Sequence, residues 1–134
     1  MSIETGRFRR SDRLLDSRDY RRVLRRGRRN AHRDIVVITT KNQIKSSKSK
    51  GLEILHNEGS RLGITASRKV GGAVVRNRFK RRVRAWFRAH RSEFANDVDL
   101  VVIARRTGAQ LSFDQLDQRL SRLMGLPVAE SRSN

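Results

Sequence analysis

The apolar pattern of this 134-residue chain predicts an α+β fold, a two-layer sandwich with helices packed on a small mixed sheet. Three observations point there. "DIVVITT" (34–40) and "VDLVVIARR" (98–106) are β-branched, nearly continuous apolar runs, as strands covered on both faces should be; residues 73–91 have a helical period; and the final apolar stretch carries helix start and stop signals. The expected order is helix, strands, helix, strand, helix, an αβββαβα-like arrangement. One domain suits this length.

Residues 1–16 hold Arg7, Arg9, Arg10 and Arg13 with almost no apolar periodicity, and read as a basic arm that orders on a partner. The domain proper is 17–125, with a loop insert at about 41–60 and a polar tail at 126–134. "SRDYRRVLRRG" predicts a short helix: Ser17 can cap it, Asp19 suits its positive end, and Gly27 falls where a left-handed C-terminal cap belongs. Tyr20, Val23 and Leu24 then share a face.

The Lys/Ser stretch 45–50 is low in complexity, and Leu52 to Leu55 would extend a hairpin. In "RLGITASRK" (61–69), Leu62, Ile64 and Ala66 alternate with Gly63, Thr65 and Ser67, a strand with one buried face and one shallow, polar face that something can approach closely. Gly71 and Gly72 make the tight turn into the long helix; without Walker spacing they are no nucleotide loop. In "LSFDQLDQRLSRLMGLP" (111–127), Ser112 and Gln115 have capping-box spacing, and Leu111 and Leu116 are placed as a hydrophobic staple. Phe113, Leu116, Leu120, Leu123 and Met124 form the stripe, and Gly125 with Pro127 ends the helix.

Lys and Arg number 32 against 13 Asp and Glu, a formal net charge of +19. Such an imbalance repels itself on folding unless a polyanion neutralises it, so a phosphate-rich partner is the first expectation. With no cysteine, a disulfide framework and a thiolate metal site are excluded, which fits a reducing compartment, and the cytoplasm is the expected location. No run approaches the roughly 18 apolar residues of a membrane span, and the N-terminus lacks a signal-peptide core, so no membrane partner is expected.

The charge is concentrated in "VVRNRFKRRVRAWF" (74–87). At about 100° per residue, Val75, Phe79, Val83, Trp86, Phe87 and His90 occupy one arc of the helix, and Lys80, Arg81, Arg84, Arg88 and Arg91 the adjoining one. One side docks on a sheet; the other is a cationic strip. An ordinary solvated face would mix signs, yet residues 74–92 contain no acid. A membrane-surface helix would waste an apolar face that the adjacent strands can use. Arginine, which grips phosphate with a planar fork and stacks on bases, favours nucleic acid. Phosphate contacts provide affinity and position rather than sequence reading.

Catalytic chemistry finds little footing. His32, His56 and His90 have no metal or triad spacing and read as surface or interface side chains. Asp97 and Asp99 alternate in a way that could present two carboxylates to a divalent ion, but at the entry to a strand they read as turn and edge residues. No catalytic residue, metal ligand, protein-bound cofactor or small-molecule substrate is expected.

"SRKVGGAVVRNRFKRRVR" (67–84) resembles the signature of the bacterial ribonuclease P protein component, in which a basic pair, a glycine turn and an Arg-Asn-Arg helix follow a strand. "RLLDSRDYRRVLRRG" is similar to that family's first helix and "DLVVIARR" to its late strand, so the resemblance spans roughly residues 9–124, leaving the 41–60 insert unmatched. The resemblance implies a subunit that joins a catalytic RNA, whose bound Mg²⁺ supports the hydrolysis, to remove 5′ leaders from precursor tRNA. It implies that Arg68, Lys69, Arg76, Asn77, Arg78, Lys80, Arg81 and Arg84 contact the catalytic RNA. It further implies that Tyr20, Leu24, Val36 and Ile38 line a cleft for the single-stranded leader. Where the family usually has three aromatic residues in that cleft, this chain has Tyr20 alone, with Leu24 and Ile38 in the other places, which implies weaker base stacking. Gly72 replaces a frequent Asn at the helix start. A ribosomal or rRNA-binding structural protein is the rival expectation, a protein-only nuclease would need a carboxylate or histidine cluster, and a DNA reader would need helix-turn-helix spacing.

Overall fold

The structure is a computed structural model that describes residues 13, 17–41, 60–94 and 98–126. Three helices, α1 (Ser17–Arg26), α2 (Ala73–His90) and α3 (Phe113–Leu123), accompany four strands, β1 (Arg28–Ala31), β2 (Ile35–Lys41), β3 (Arg61–Thr65) and β4 (Val98–Ala104). The sheet order is β1-β2-β4-β3. Its β1–β2 and β2–β4 pairs are antiparallel and its β3–β4 pair is parallel, with α2 as the crossover between β3 and β4. The α+β class and mixed sheet are as predicted.

Strand alternation sorts the apolar residues onto two faces. Ile35, Val37, Leu62, Leu100 and Val102 point to one face, where they are buried with Phe79, Val83, Trp86 and Phe87 of α2 and Leu116 and Leu120 of α3. Val36, Ile38 and Val101 point to the other, where Val23 of α1 is fully buried among them and Tyr20 packs alongside. The predicted two-layer sandwich is thus the α2–α3 layer on the sheet, and α1 covers part of the second face. That cover exists because β2 and β4 are apolar at every position of their centres.

Local signals explain most boundaries. Gly71 has a φ of 155°, in the region that excludes most side chains, and permits the turn into α2. Gly72 is the N-cap of α2 and makes no side-chain cap; Arg76 instead donates from Nε to the Gly71 carbonyl at 3.1 Å. The Ser112–Gln115 capping box forms as predicted, and Gly125, at φ 74°, follows α3. Leu111 and Leu116, the expected staple, are buried in the same cluster.

Four features depart from expectation. Gly27 is not a left-handed cap, since only Gly71 and Gly125 have positive φ among the described glycines. It is required for close approach: a Cβ there would lie 2.5 Å from both Ile38 Cγ2 and the Val23 carbonyl. β1, with the sequence RRNA, has no apolar period to betray it; it exists through its pairing with β2 and through Asn30, whose side-chain amide donates to the Leu123 carbonyl at 3.1 Å. Phe113 is exposed by 39 %, and Ser121 occupies the buried position, accepting a hydrogen bond from Trp86 Nε1 at 3.1 Å. Asp99 is neither turn nor edge: it lies within the central strand β4 and is wholly buried. Asp97, His56, the 45–50 stretch and the expected hairpin at 52–55 lie outside the described residues, as do the 126–134 tail beyond Leu126 and the arm apart from Arg13.

Candidate nucleic-acid interface

Two cationic surfaces emerge, one on each side of the sheet. The first is on α2. Burial of Phe79, Val83, Trp86 and Phe87 fixes the rotation of the helix, so its opposite side must carry Asn77, Arg81, Arg84 and Arg88 in line, flanked by Arg78 and Lys80. Asn77, Arg78 and Arg81 are exposed, as are Arg68 and Lys69 in the turn before the helix, while Arg76, Lys80 and Arg84 are half-buried. Val74 stands on the same end with 78 % of its surface exposed.

Not every cation of this stretch faces outward. Arg82 turns toward the core side and donates to the Leu111 carbonyl at 2.6 Å, holding the start of α3. The Arg91 guanidinium lies 5.3 Å from the centre of the Phe87 ring. Arg13 reaches the strip from the arm: it bridges to Leu62 at the free edge of β3, next to α2. The Arg84 guanidinium is pushed below the ordinary arginine range, first by burial and then by the charges of Arg13, Arg81 and Arg88. It remains charged at any physiological pH, so the shift marks a guanidinium partly withdrawn from water and, secondarily, crowded by like charges.

The second surface is built around α1. Tyr20 is half-buried, and its hydroxyl shares a hydrogen bond with Thr65 Oγ1 on the shallow face of β3. Burial pushes the Tyr20 phenol above its ordinary pKa of 10.0. Leu24 is exposed by 42 %, whereas Val36 and Ile38 are almost wholly covered, so these two form the floor on which α1 rests. The strand register puts Arg29 opposite Ile38 and Ala31 opposite Val36, extending this face to the exposed β1.

An ion-pair network that spacing alone did not disclose holds α1 in place. The buried Asp99 carboxylate accepts from Arg22 Nη2 at 2.7 Å, and from Arg61 Nε and Nη2 at 2.9 and 2.8 Å. Asp19 accepts from Arg61 at 3.2 Å and from Arg22 at 3.4 Å. Burial weakens the charge of Arg61, but the Asp99 and Asp19 carboxylates outweigh it and raise its pKa further. The only sequence signal was an acid inside an apolar strand, which must find a partner when buried.

Among the described residues no group of three or more His, Cys, Asp or Glu side chains is placed to hold a metal ion. The Asp99 oxygens are taken by guanidinium donors, a set that repels a cation. His90 bridges Asp117 at 2.8 Å and Glu93 at 3.1 Å, and His32 Nδ1 accepts from the Asp34 backbone amide, so both act within the fold. No helix among the described residues is long and apolar enough to cross a membrane.

Comparison with known proteins agrees with this architecture. The family model described as Ribonuclease P matches residues 8–126. The chain is 30% identical to the ribonuclease P protein component of Macrococcus caseolyticus, covering 84% of this chain and 86% of the relative. It is also 30% identical to that of Bacillus cereus, covering 90% and 88%. The solved ribonuclease P protein of Staphylococcus aureus superposes with a TM-score of 0.67 at 31% identity, over 85% of this chain and 93% of that one. That of Thermotoga maritima gives 0.65 at 30%, over 84% and 94%. Nearly the whole chain is matched in sequence and in fold, and it belongs to the bacterial ribonuclease P protein family.

Proposed function

We propose that this chain joins a catalytic RNA to form the endonuclease that removes the 5′ leader from precursor tRNA, with the α2 strip against the catalytic RNA and the α1 side toward the leader. The α2 strip is the observation that carries this reading. Asn77, Arg81, Arg84 and Arg88 align on one helix face with no acidic side chain on the helix, and Arg13 is added to the same cluster. Folded RNA offers phosphates at a matching density, and their neutralisation releases counterions. Arg68, Lys69, Arg76, Arg78 and Lys80 extend the surface around the N-terminal end of the helix.

The leader, as single-stranded RNA, is read differently. Its bases need an accessible apolar or aromatic platform, and Tyr20 and Leu24 supply one above the Val36 and Ile38 floor. With one aromatic residue in place, stacking contributes little sequence preference. The Mg²⁺ ions that support hydrolysis are carried by the RNA in this reading, and among the described residues the carboxylates beside α1, Asp19 and Asp99, are already engaged by arginines. The location that follows is the cytoplasm, where precursor tRNA is found in a bacterium.

Arg78→Gln with Arg81→Gln tests the strip. Assembly with the catalytic RNA should weaken, and the slope of log affinity against log salt should flatten by roughly 0.7 to 0.9 per lost phosphate contact. An unchanged slope would remove α2 from the interface. For the α1 side, Tyr20→Ala should weaken the binding of precursor tRNA to the assembled enzyme by about 1–3 kcal/mol and leave mature tRNA unaffected. Equal loss for both ligands would mean that Tyr20 serves the fold alone. Cleavage of precursor tRNA by the purified protein with Mg²⁺ and no RNA subunit would overturn the reading as a whole.

A further inference from the structure

The helix α1 has a role left over after its buried face is accounted for. Its sequence, SRDYRRVLRR, holds five arginines and one acid, and Asp19 is already tied to Arg22 and Arg61. Arg18, Arg21, Arg22, Arg25 and Arg26 together line a shallow groove of about 440 Å³ on the helix surface. Arg21, Arg25 and Arg26 are exposed and make no ion pair among the described residues. Like charges at i, i+4 spacing (Arg18 with Arg22, Arg21 with Arg25, Arg22 with Arg26) oppose helix formation, and a ten-residue helix has little stability of its own to spare. A solvated face would carry acids at those positions.

We propose that the exposed arginine row of α1 is a phosphate track for the upstream part of the RNA leader, separate from the α2 strip. This rests on the assignment of the leader to the α1 side. Three observations carry it. α1 and α2 lie on opposite faces of the sheet, so one RNA surface docked on α2 does not also present itself to the outside of α1. Going around α1 from the sheet, Tyr20 and Leu24 come first, Arg21 and Arg25 follow Leu24 by roughly 60° and 100°, and Arg26, in the last turn, ends the row at about 200°. A strand whose bases rest on Tyr20 and Leu24 therefore has its phosphates beside this row. Finally, the row spans about 12 Å from Arg18 to Arg26 at 1.5 Å per residue, enough for a few consecutive phosphates.

Arg21, Arg25 and Arg26 hold charge without an ion pair among the described residues, so they contribute affinity that depends on leader length and salt, and not on leader sequence. Its partner is the ribose-phosphate backbone of a flexible single strand.

The test uses the enzyme assembled with its catalytic RNA and precursor tRNAs whose leaders are lengthened stepwise, with mature tRNA as the leaderless ligand. Arg21→Gln, Arg25→Gln and Arg26→Gln together should flatten the salt slope for the longest leader by about 2, from roughly 0.7 per single-strand phosphate. The shortest leader and mature tRNA should be unchanged, and Lys at the three positions should restore the slope. Gln keeps helix propensity, and if the triple variant unfolds, Arg25→Gln alone should show about a third of the effect. No flattening, flattening that includes mature tRNA, or weakened assembly with the catalytic RNA would each overturn the proposal. Tyr20→Ala, measured alongside, separates the two levels: loss of precursor but not mature tRNA binding tests the leader's place on the α1 side, while the length-dependent salt slope of the arginine variant tests the row.

Discussion

The two faces of the sheet are held by different forces. On the α2–α3 face the largest buried side chains among the described residues, Trp86, Phe79 and Phe87, are fully or almost fully covered, and the rings of Trp86 and Phe87 each lie 6.0 Å from that of Phe94. On the other face α1 itself contributes only one valine and half of one tyrosine to the apolar contact with Val36, Ile38 and Val101, and the remainder of its attachment is the Asp19–Arg22–Arg61–Asp99 network. Apolar burial is non-directional and grows with area, whereas a buried ion pair stabilises mainly by penalising every arrangement that leaves a charge unpaired. The first face supplies stability. The second fixes where α1 sits, and with it the position of Tyr20, Leu24 and the arginine row.

Trp86→Ala should produce the largest loss if this contrast is right. It removes the central ring of the core and leaves the buried Ser121 hydroxyl without its donor, costing about 3–5 kcal/mol in denaturant unfolding. Loss of the whole fold, including the α1 side, is the expected result. Asp99→Ala probes the other face. It removes the buried carboxylate that Arg22 and Arg61 share and leaves these two mostly buried guanidinium groups only the partly exposed Asp19, a cost of about 3 kcal/mol. Hydrogen exchange should accelerate in α1 well before it does in α2, and leader binding should fall while assembly with the catalytic RNA persists. Uniform acceleration throughout the protein would show that the two faces are not separable.

Gly27→Ala sharpens the comparison at a smaller scale. Its methyl group would press on Ile38 Cγ2 and the Val23 carbonyl, and we expect a loss of about 1–3 kcal/mol, again concentrated in α1. A neutral outcome would mean that α1 shifts freely on its floor. The smallest effect concerns Tyr20, the one tyrosine of the chain, whose ionisation can be followed by ultraviolet absorption. Burial raises its pKa in the folded state, so the fold binds that proton more tightly than the unfolded chain does. The resulting stabilisation is complete below pH 10 and is lost as pH rises through the folded value. A phenol that titrates at or below 10 in the folded protein would show that Tyr20 is not held against the sheet.

Much of the geometry of the candidate site was legible because its signals are local. Lys80, Arg81, Arg84 and Arg88 fell on one arc from helical spacing alone, and burial of Phe79, Val83, Trp86 and Phe87 then turned that arc outward. The Arg-Asn-Arg stretch could be aligned with a family by its residues. The arginine row of α1, equally visible as letters, was passed over because its meaning depends on which side of a short helix the sheet occupies. Asp99 was misplaced because a strand-entry position and a buried central position look alike until the register with Arg61 is known.

The sequence by itself determined the elements whose cause lies within a few residues. These include the covered strands β2 and β4, the periodicity of α2, the Ser112–Gln115 box and the left-handed Gly125. Tertiary structure alone decided what needs a partner distant in the chain. β1 is a strand only because β2 offers it hydrogen bonds, Gly27 is a glycine because Ile38 comes within reach, and Asp99 is tolerable because Arg22 and Arg61 converge on it from 77 and 38 residues away. Local signals act through backbone torsion and neighbouring side chains, while these depend on contacts whose chain-closure entropy is met only when the whole sheet forms.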